Sequence, residues 1–161
     1  VIRNTTLAAQ IESHAYKVLL AGDLAQSDEL CRRWLAADPL SDEAYRLLGS
    51  SACQRREWQR AIEYFQNGLS YRPASSQLHY NLGVALYQCG RYTEAVASYR
   101  TATAIKSDYI EAWENLAASL AAAGEYRHAA ELYRQLVRTA PLRVASQQAL
   151  STLERMLATS P

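Results

Sequence analysis

The sequence predicts an all-α solenoid of four helix-turn-helix repeats, each 34 residues long, followed by one further helix. The first observation behind this prediction is a period, because apolar, aromatic and small residues recur every 34 residues without an insertion. The second is the spacing of apolar residues by three and four within each repeat, which is typical of helices. The third is the placement of glycine and proline where helices must end. The recurring sets are Leu48, Leu82 and Leu116; Ala61, Ala95 and Ala129; Trp58, Tyr92 and Tyr126; and Phe65, Tyr99 and Tyr133.

The period divides most of the chain into four units of equal length. These units are Ala8–Ser41, Asp42–Ser75, Ser76–Tyr109 and Ile110–Arg143. In the third unit the apolar residues from Leu78 onward follow one helical stripe, which stops at Gly90, and a second stripe begins at Tyr92. Gly22 and Gly124 keep the place of Gly90 in the first and fourth units. Each unit is therefore predicted to form two helices.

Helix starts and ends have their own signals. Asp108, with Glu111 three residues later, resembles a capping box at the start of a helix. Asp42 and Glu43 follow Ser41 and put two acids in a first turn, where they interact favourably with the helix dipole. Prolines occupy the places where second helices must end; these are Pro39, Pro73 and Pro141.

Gly83 lies inside a helical pattern, where glycine costs roughly 1 kcal/mol against alanine. Gly83, Ala95 and Ala102 are small enough to let helix backbones approach, while Tyr99 fills the space between them. A larger residue at position 83 would overpack this contact at a cost of about 1–3 kcal/mol. No unit can bury its apolar faces alone, so neighbouring units share their stability.

Residues 144–158 are predicted to form a C-terminal capping helix, because they have one apolar and one polar face. The apolar face contains Ala145, Ala149, Leu150, Leu153, Met156 and Leu157. The polar face contains Gln147, Gln148, Ser151, Glu154 and Arg155. The alternative is that this segment is the first helix of a fifth repeat.

Composition and motifs exclude several classes of function. The 17 Lys and Arg residues nearly balance the 16 Asp and Glu residues, which disfavours a nucleic-acid or anionic-membrane surface. No apolar run approaches the roughly 18 residues of a membrane span. Cys31, Cys53 and Cys89 have no zinc-like spacing and are expected to act as small buried hydrophobes, and His14 and His79 take places on the core stripes. No catalytic motif, metal site or cofactor site is present in the sequence, so no enzyme activity is predicted for these residues.

These residues resemble the tetratricopeptide repeat family, whose 34-residue pattern combines Leu-Gly, Tyr, Ala, a second aromatic residue, Ala and Pro. The segments Tyr45–Pro73 and His79–Ala102 match this pattern well, and Trp113–Tyr133 matches with Ala117 in place of glycine. The first unit is degenerate, and Trp34 is large where the family has a small residue. The resemblance covers the four units and implies a single domain coiled as a right-handed superhelix.

The resemblance also implies that the first helix of each unit lines the inside of the superhelix, where similar proteins bind peptides or partner helices. The residues carried onto that face are Glu12, Ser13, Tyr16, Glu43, Arg46, Ser50, Gln54, Gln77, Tyr80, Asn81, Val84, Gln88, Glu111, Glu114, Asn115 and Ala118. Asn81 and Asn115 share one place in successive units and could hold an extended backbone through their amides. Glu111 stands where a chaperone-tail clamp of this family would need a cation. The expected partner is therefore a neutral or basic protein segment, not an acidic one.

Two functions from different classes follow. The first is a non-enzymatic scaffold that binds a peptide or partner helix in the groove. The alternative is a substrate-recruiting region of a larger bacterial transferase, of the glycosyltransferase or sulfotransferase type, whose chemistry lies outside these 161 residues. Self-association through the outer faces or open ends is a third possibility. The expected location is the cytoplasm, or the periplasm if a leader has been removed.

Overall fold

A computed structural model describes residues 2–139 and 143–159, with side chains from residue 10 onward. These residues form nine α-helices and no strand, in agreement with the predicted fold class. The helices are α1 Ile2–Leu20, α2 Leu24–Ala37, α3 Asp42–Gln54, α4 Trp58–Tyr71, α5 Ser76–Gln88, α6 Tyr92–Ile105, α7 Ile110–Ala122, α8 Tyr126–Thr139 and α9 Val144–Thr159. The predicted helix stop at Pro141 lies outside the described residues. No described helix is both long and apolar enough to cross a membrane.

The helices form a linear stack in which each packs mainly on its neighbours in sequence. The hairpins are α1–α2, α3–α4, α5–α6 and α7–α8, and α9 packs against α8. Successive first helices also touch, α1 with α3, α3 with α5 and α5 with α7. Among the described residues, successive second helices have no contact of that extent. The first helices therefore lie on the tighter, concave side of the stack.

The turn inside each hairpin is a left-handed helix stop that repeats every 34 residues. Gly22, Gly90 and Gly124 have positive φ angles of 84°, 74° and 85°. After the turn at Gly90, the Arg91 N–H donates to the Leu86 carbonyl at 3.0 Å, which closes the helix end. In the second unit Arg56 takes this place with φ 60°, although it carries a side chain. The turn geometry is thus kept even where the sequence lacks glycine.

The N-caps agree with the prediction at one place and differ at another. Ser41 Oγ accepts a hydrogen bond from the Ala44 N–H at 3.2 Å, so the acids that follow it do lie in the first turn of α3. The capping box predicted at Asp108 is wrong, because the N-cap of α7 is Tyr109 and its side chain makes no capping bond. The Asp108 backbone carbonyl instead accepts from the Ile110 N–H at 3.0 Å, before the helix begins.

Two glycines mark the places where paired helices approach most closely. A Cβ at Gly83 would lie 2.8 Å from the Tyr99 ring, and one at Gly49 would lie 2.3 Å from the Phe65 ring. Real Cβ atoms essentially never come so close. Both rings are buried, at 2% and 1% exposure, so they fill the space that the glycines leave. This geometry agrees with the reason predicted for Gly83.

The apolar core forms two clusters. The larger runs from α3 to α9, and the smaller joins α1, α2 and the start of α3. The half-buried Tyr64 packs against both. Beside the smaller cluster, Arg55 donates to Asp28 Oδ2 at 2.9 Å and to Ser51 Oγ at 2.8 Å. Asp28 stands in the register position of the buried Ile62, so a partly buried ion pair replaces an apolar contact in the first unit.

Four residues differ from their predicted burial, and one of them, Cys53, is half-buried. His14 and Cys89 are exposed, although a core place was predicted for the first and a buried thiol for the second. His79 is half-buried, and its Nε2 lies 2.9 Å from the Pro73 carbonyl oxygen. Cys31 is fully buried as predicted, and burial raises its pKa to about 11.

The described residues contain no group of three side chains that could hold a metal ion.

Candidate functional site

The residues that the sequence predicted for a groove all lie on the first helices, on the concave side of the stack, and the surface that they form is called the groove below. These residues lie on α1, α3, α5 and α7. Tyr16, Gln77 and Gln88 are exposed. Tyr80, Asn81 and Val84 are half-buried. The first helices hold these side chains on one side because their opposite stripes are buried against the second helices.

The first half of the groove is lined by groups that bond to one another. Arg46 Nε donates to a Glu43 carboxylate oxygen one turn earlier in α3. Ser50 Oγ donates to the Arg46 backbone carbonyl at 2.9 Å. The cation and the acid predicted at this place are therefore already paired on the surface of one helix.

The middle of the groove is an aromatic cluster linked by one amide. Asn115 Nδ2 on α7 donates to Tyr80 Oη on α5 at 3.1 Å. The Tyr80 ring lies 5.8 Å from Tyr99 and 4.9 Å from Tyr109, measured between centroids. Burial raises the pKa of the Tyr80 hydroxyl, while the hydrogen bond from Asn115 opposes that shift. Tyr80 thus remains a neutral phenol that joins two repeats.

The two asparagines that share a register position do not make equivalent contacts. Asn115 bonds to Tyr80, whereas the Asn81 side chain makes no hydrogen bond to another described residue. The difference arises because the residue one repeat before Tyr80 is Arg46, which is paired with Glu43 and does not reach Asn81. Asn81 therefore has its full amide available to a ligand, and Asn115 has part of it.

Two adjoining cavities open along the second half of the groove. The first, of about 210 Å³, lies between α5 and α7 and is lined by Val84, Tyr87, Gln88, Tyr99, Asn115 and Ala118. The second, of about 530 Å³, continues toward α9. It shares Tyr87 and Ala118 with the first and has a floor of alanines; these are Ala118, Ala121, Ala122, Ala145 and Ala149. No charged residue lines either cavity within the described part of the chain.

A cluster of charged and polar groups lies beside these cavities, where α7 meets α9. Arg143 donates to Glu111 Oε1 at 3.1 Å and also to Glu114 Oε2. Ser146 Oγ donates to Glu114 Oε1 at 2.7 Å. A backbone hydrogen bond and then the Arg143 guanidinium hold the pKa of Glu111 below its usual value. The two carboxylates are therefore already paired with the Arg143 guanidinium.

Sequence reasoning missed Arg143 and Ser146, although a signal for Arg143 existed. Arg143 stands one repeat after Tyr109, and Tyr109 packs against Tyr80 from 29 residues away. Arg143 binds Glu114 across the same separation of 29 residues. The register alone therefore indicates that residue 143 lies over the groove position of Glu114.

Comparison with known families agrees with this geometry. Two family models described as tetratricopeptide repeat match the chain, one at residues 19–67 and 46–110 and the other at residues 112–144. Together these matches cover well over half of the chain, and the chain belongs to the tetratricopeptide repeat family. No curated protein matches it in sequence.

Solved structures have the same fold. The O-GlcNAc transferase of Thermobaculum terrenum is 25% identical with a TM-score of 0.76, over 85% of this chain and 27% of the transferase chain. The chain thus spans about a quarter of that relative's length. Pseudomonas aeruginosa PilF is 20% identical with a TM-score of 0.85, over 96% of this chain and 71% of its own. YrrB, described as a tetratricopeptide repeat protein with an unusual peptide-binding site, is 16% identical with a TM-score of 0.82, over 92% and 76% of the two chains.

Proposed function

We propose that this protein is a non-enzymatic scaffold that binds a protein segment in its concave groove. The observation that carries the proposal is the pair of adjoining uncharged cavities along α5, α7 and α9. Grooves of this kind, mostly apolar with a few polar groups, suit a ligand that buries side chains and hydrogen-bonds through its backbone. The peptide-binding site named for YrrB, a protein of the same fold, supports the same function.

The segment that fits this groove is neutral or basic, not acidic. Glu111 and Glu114 share one guanidinium, from Arg143, so this cluster keeps one net negative charge. An acidic segment would meet that charge beside cavities that offer no cation. A basic residue could instead lie next to the carboxylates at the edge of the groove, where solvent still screens the interaction.

The proposal is tested by capture of a partner from the source lysate, followed by titration of that partner against variants. Replacing Asn81 and Asn115 together by alanine should weaken binding about five- to hundredfold, since each net hydrogen bond contributes about 0.5–1.5 kcal/mol. Asn67→Ala is the matched control, because Asn67 is an exposed asparagine on the second helix α4. Equal affinities for the double variant and the wild type, both correctly folded, would move binding away from the groove. A partner held only through an acidic tail would contradict the charge preference.

A second function is favoured by one observation, the similarity to the O-GlcNAc transferase at 25% identity. In this alternative the groove recruits protein substrates for a transferase whose catalytic region is not among these residues. The gene sequence downstream of Pro161 tests it directly. A transferase domain there would support the alternative, and a stop codon or an unrelated domain would contradict it.

A further inference from the structure

The smaller of the two groove cavities has the dimensions of a pocket for a single side chain; it is called the tyrosine pocket below. Its lining residues are Val84, Tyr87, Gln88, Tyr99, Asn115 and Ala118. Tyr99 belongs to α6, on the convex side, and lies at the base of the pocket because Gly83 lets its ring pack directly on α5. The pocket is therefore a product of the same close helix contact that the repeat requires.

The pocket is large enough for an aromatic ring with a substituent. Its volume is about 210 Å³. An apolar protein cavity of about 150 Å³ binds benzene, so the additional volume accommodates a hydroxyl group or a second fused ring. The ring of Tyr87, which is T-shaped against Tyr92 at 5.2 Å, is a half-buried aromatic wall. Edge-to-face or offset contact between such rings is favourable beyond simple burial.

The polar atoms of the pocket call for a neutral ligand group with a hydrogen-bond donor. Asn115 uses Nδ2 to bind Tyr80, and its Oδ1 accepts no hydrogen bond from any described residue. Asn115 Oδ1 is thus an acceptor that the pocket offers, beside the Gln88 amide at its exposed edge. No carboxylate or cation is among the described residues that line the pocket, so a charged side chain would be buried there without a partner, which is costly.

Burial also keeps the base of the pocket uncharged. Tyr99 is 2% exposed, and its burial raises the pKa of the hydroxyl far above the usual value, so it remains a phenol. Glu114, which precedes Asn115 on α7, is bound by Arg143 and Ser146 and does not line the pocket. Neither an ionised tyrosine nor a free carboxylate is present to attract a lysine or an arginine.

From these observations we propose that the tyrosine pocket binds one tyrosine or tryptophan side chain of the partner segment. The tyrosine O–H or the indole N–H donates to Asn115 Oδ1, and the ring packs between Tyr87 and Ala118. This inference rests on the proposed function and deepens it, because it names the residue type that anchors the segment in the groove.

The test uses a phage-displayed library of random twelve-residue peptides, selected on the immobilised full chain. Tyrosine or tryptophan should be enriched at one position of the recovered peptides. A representative peptide is then titrated against Ala118→Phe, which fills the pocket, and its affinity should fall at least tenfold. Ala97→Phe, the same change at an exposed site on α6, is the matched control and should bind as the wild type does. Gln88→Trp closes the pocket from its exposed edge and gives a second variant if Ala118→Phe does not fold.

The hydrogen bond is tested by a double-mutant cycle. Changing the anchoring tyrosine of the peptide to phenylalanine, or its tryptophan to naphthylalanine, should weaken binding to the wild type about two- to tenfold. On Asn115→Ala the same change should have no effect, which a merely structural role of Asn115 would not produce. An equal loss on both proteins would overturn the assigned hydrogen bond.

The outcomes separate this inference from the proposed function. Peptides that bind the groove but lack an aromatic anchor, or that bind Ala118→Phe and Gln88→Trp unchanged, overturn the pocket while leaving the scaffold function intact. Failure to enrich any peptide above the starting library counts against both. Anchors that are uniformly acidic or basic overturn the argument from the uncharged lining.

Discussion

Replacing Gly83 by alanine tests whether close contact between α5 and α6 sets the geometry of a hairpin. A Cβ at position 83 would lie 2.8–2.9 Å from three carbon atoms of the Tyr99 ring. Tyr99 is 2% exposed, so its ring has little free space to move into. The clash must therefore be relieved by a shift of the ring into its neighbours or by separation of the two helices.

The expected magnitude is the difference between two opposing effects. Alanine gains about 1 kcal/mol over glycine in a helix, and overpacking a core contact costs about 1–3 kcal/mol. Gly83→Ala should thus lower the free energy of unfolding by about 0–2 kcal/mol. Gly49→Ala should cost more, because its Cβ would lie 2.3 Å from Phe65. Gly68→Ala should cost least, because its nearest contact is a Leu78 methyl at 3.1 Å.

Urea unfolding followed by far-ultraviolet circular dichroism measures this series. Gly83→Leu should lower the free energy of unfolding more than Gly83→Ala does, because it adds more atoms to the same contact. Gln88→Ala, at an exposed site, should change the free energy of unfolding by no more than about 0.5 kcal/mol. Ala117 holds the position of Gly83 in the fourth unit, where a Cβ is already accommodated. The reverse change, Ala117→Gly, should therefore lower the free energy of unfolding by about 1 kcal/mol. If Gly83→Ala gained the full 1 kcal/mol or so of helix propensity, close packing would not be the reason for glycine at this position.

Other residues give further predictions. Arg56→Gly should raise the free energy of unfolding by about 1 kcal/mol in a urea melt, because a left-handed φ costs a residue with a Cβ about 1–2 kcal/mol. Arg55→Met should lower it by about 1–3 kcal/mol by leaving the Asp28 carboxylate with only the more distant Arg32, at 4.0 Å, and Asp28→Ile in the same chain should restore most of the loss; no restoration would show that the ion pair is not the cause. Iodoacetamide at mildly alkaline pH should label the exposed Cys89 well before Cys31, whose pKa of about 11 keeps it a thiol, and peptide mass spectrometry would detect a reversed order.

The fold could be predicted almost completely from the sequence because each repeat encodes the same contact. Leu82 and Gly83 recur as Leu48 and Gly49, and each glycine faces an aromatic ring 16 residues later in its own unit. Such periodic contacts can be predicted without knowing the conformations of the loops. The burial of His14 was wrongly predicted since it was taken from the family pattern, whereas α1 is the first described helix and no other described hairpin packs on its outer side.

The site was less predictable because its contacts join different repeats. The sequence placed Asn115 on the groove, but its bond to Tyr80 depends on how far α5 and α7 lie apart. Glu111 and Glu114 were predicted as groove residues without Arg143, which reaches both carboxylates from just before α9. Neither the cavities nor these bonds follow from the properties of single helices.

The register of α9 bears on the two alternatives left open for the C-terminal segment. Ser151 and Glu154 occupy the places that Ala117 and Leu120 hold in α7, where those residues are buried against α8. Both polar residues are exposed, and Glu154 accepts a hydrogen bond from Arg134 at 2.9 Å. A second helix packed on this face would have to bury them, so the register favours the capping helix. The capping role remains a prediction.

The division of the core into two clusters that meet at Tyr64 has a consequence for how binding could be observed. Repeat proteins open in segments, and a segment with fewer apolar neighbours opens at a lower free energy. The α1–α2 hairpin is expected to exchange its amide hydrogens sooner than α5 and α6. A ligand that spans both clusters would slow that exchange, whereas a ligand confined to the cavities of α5 and α7 would leave it unchanged. The rate of amide hydrogen exchange in the α1–α2 hairpin would therefore show how far along the groove a bound partner extends.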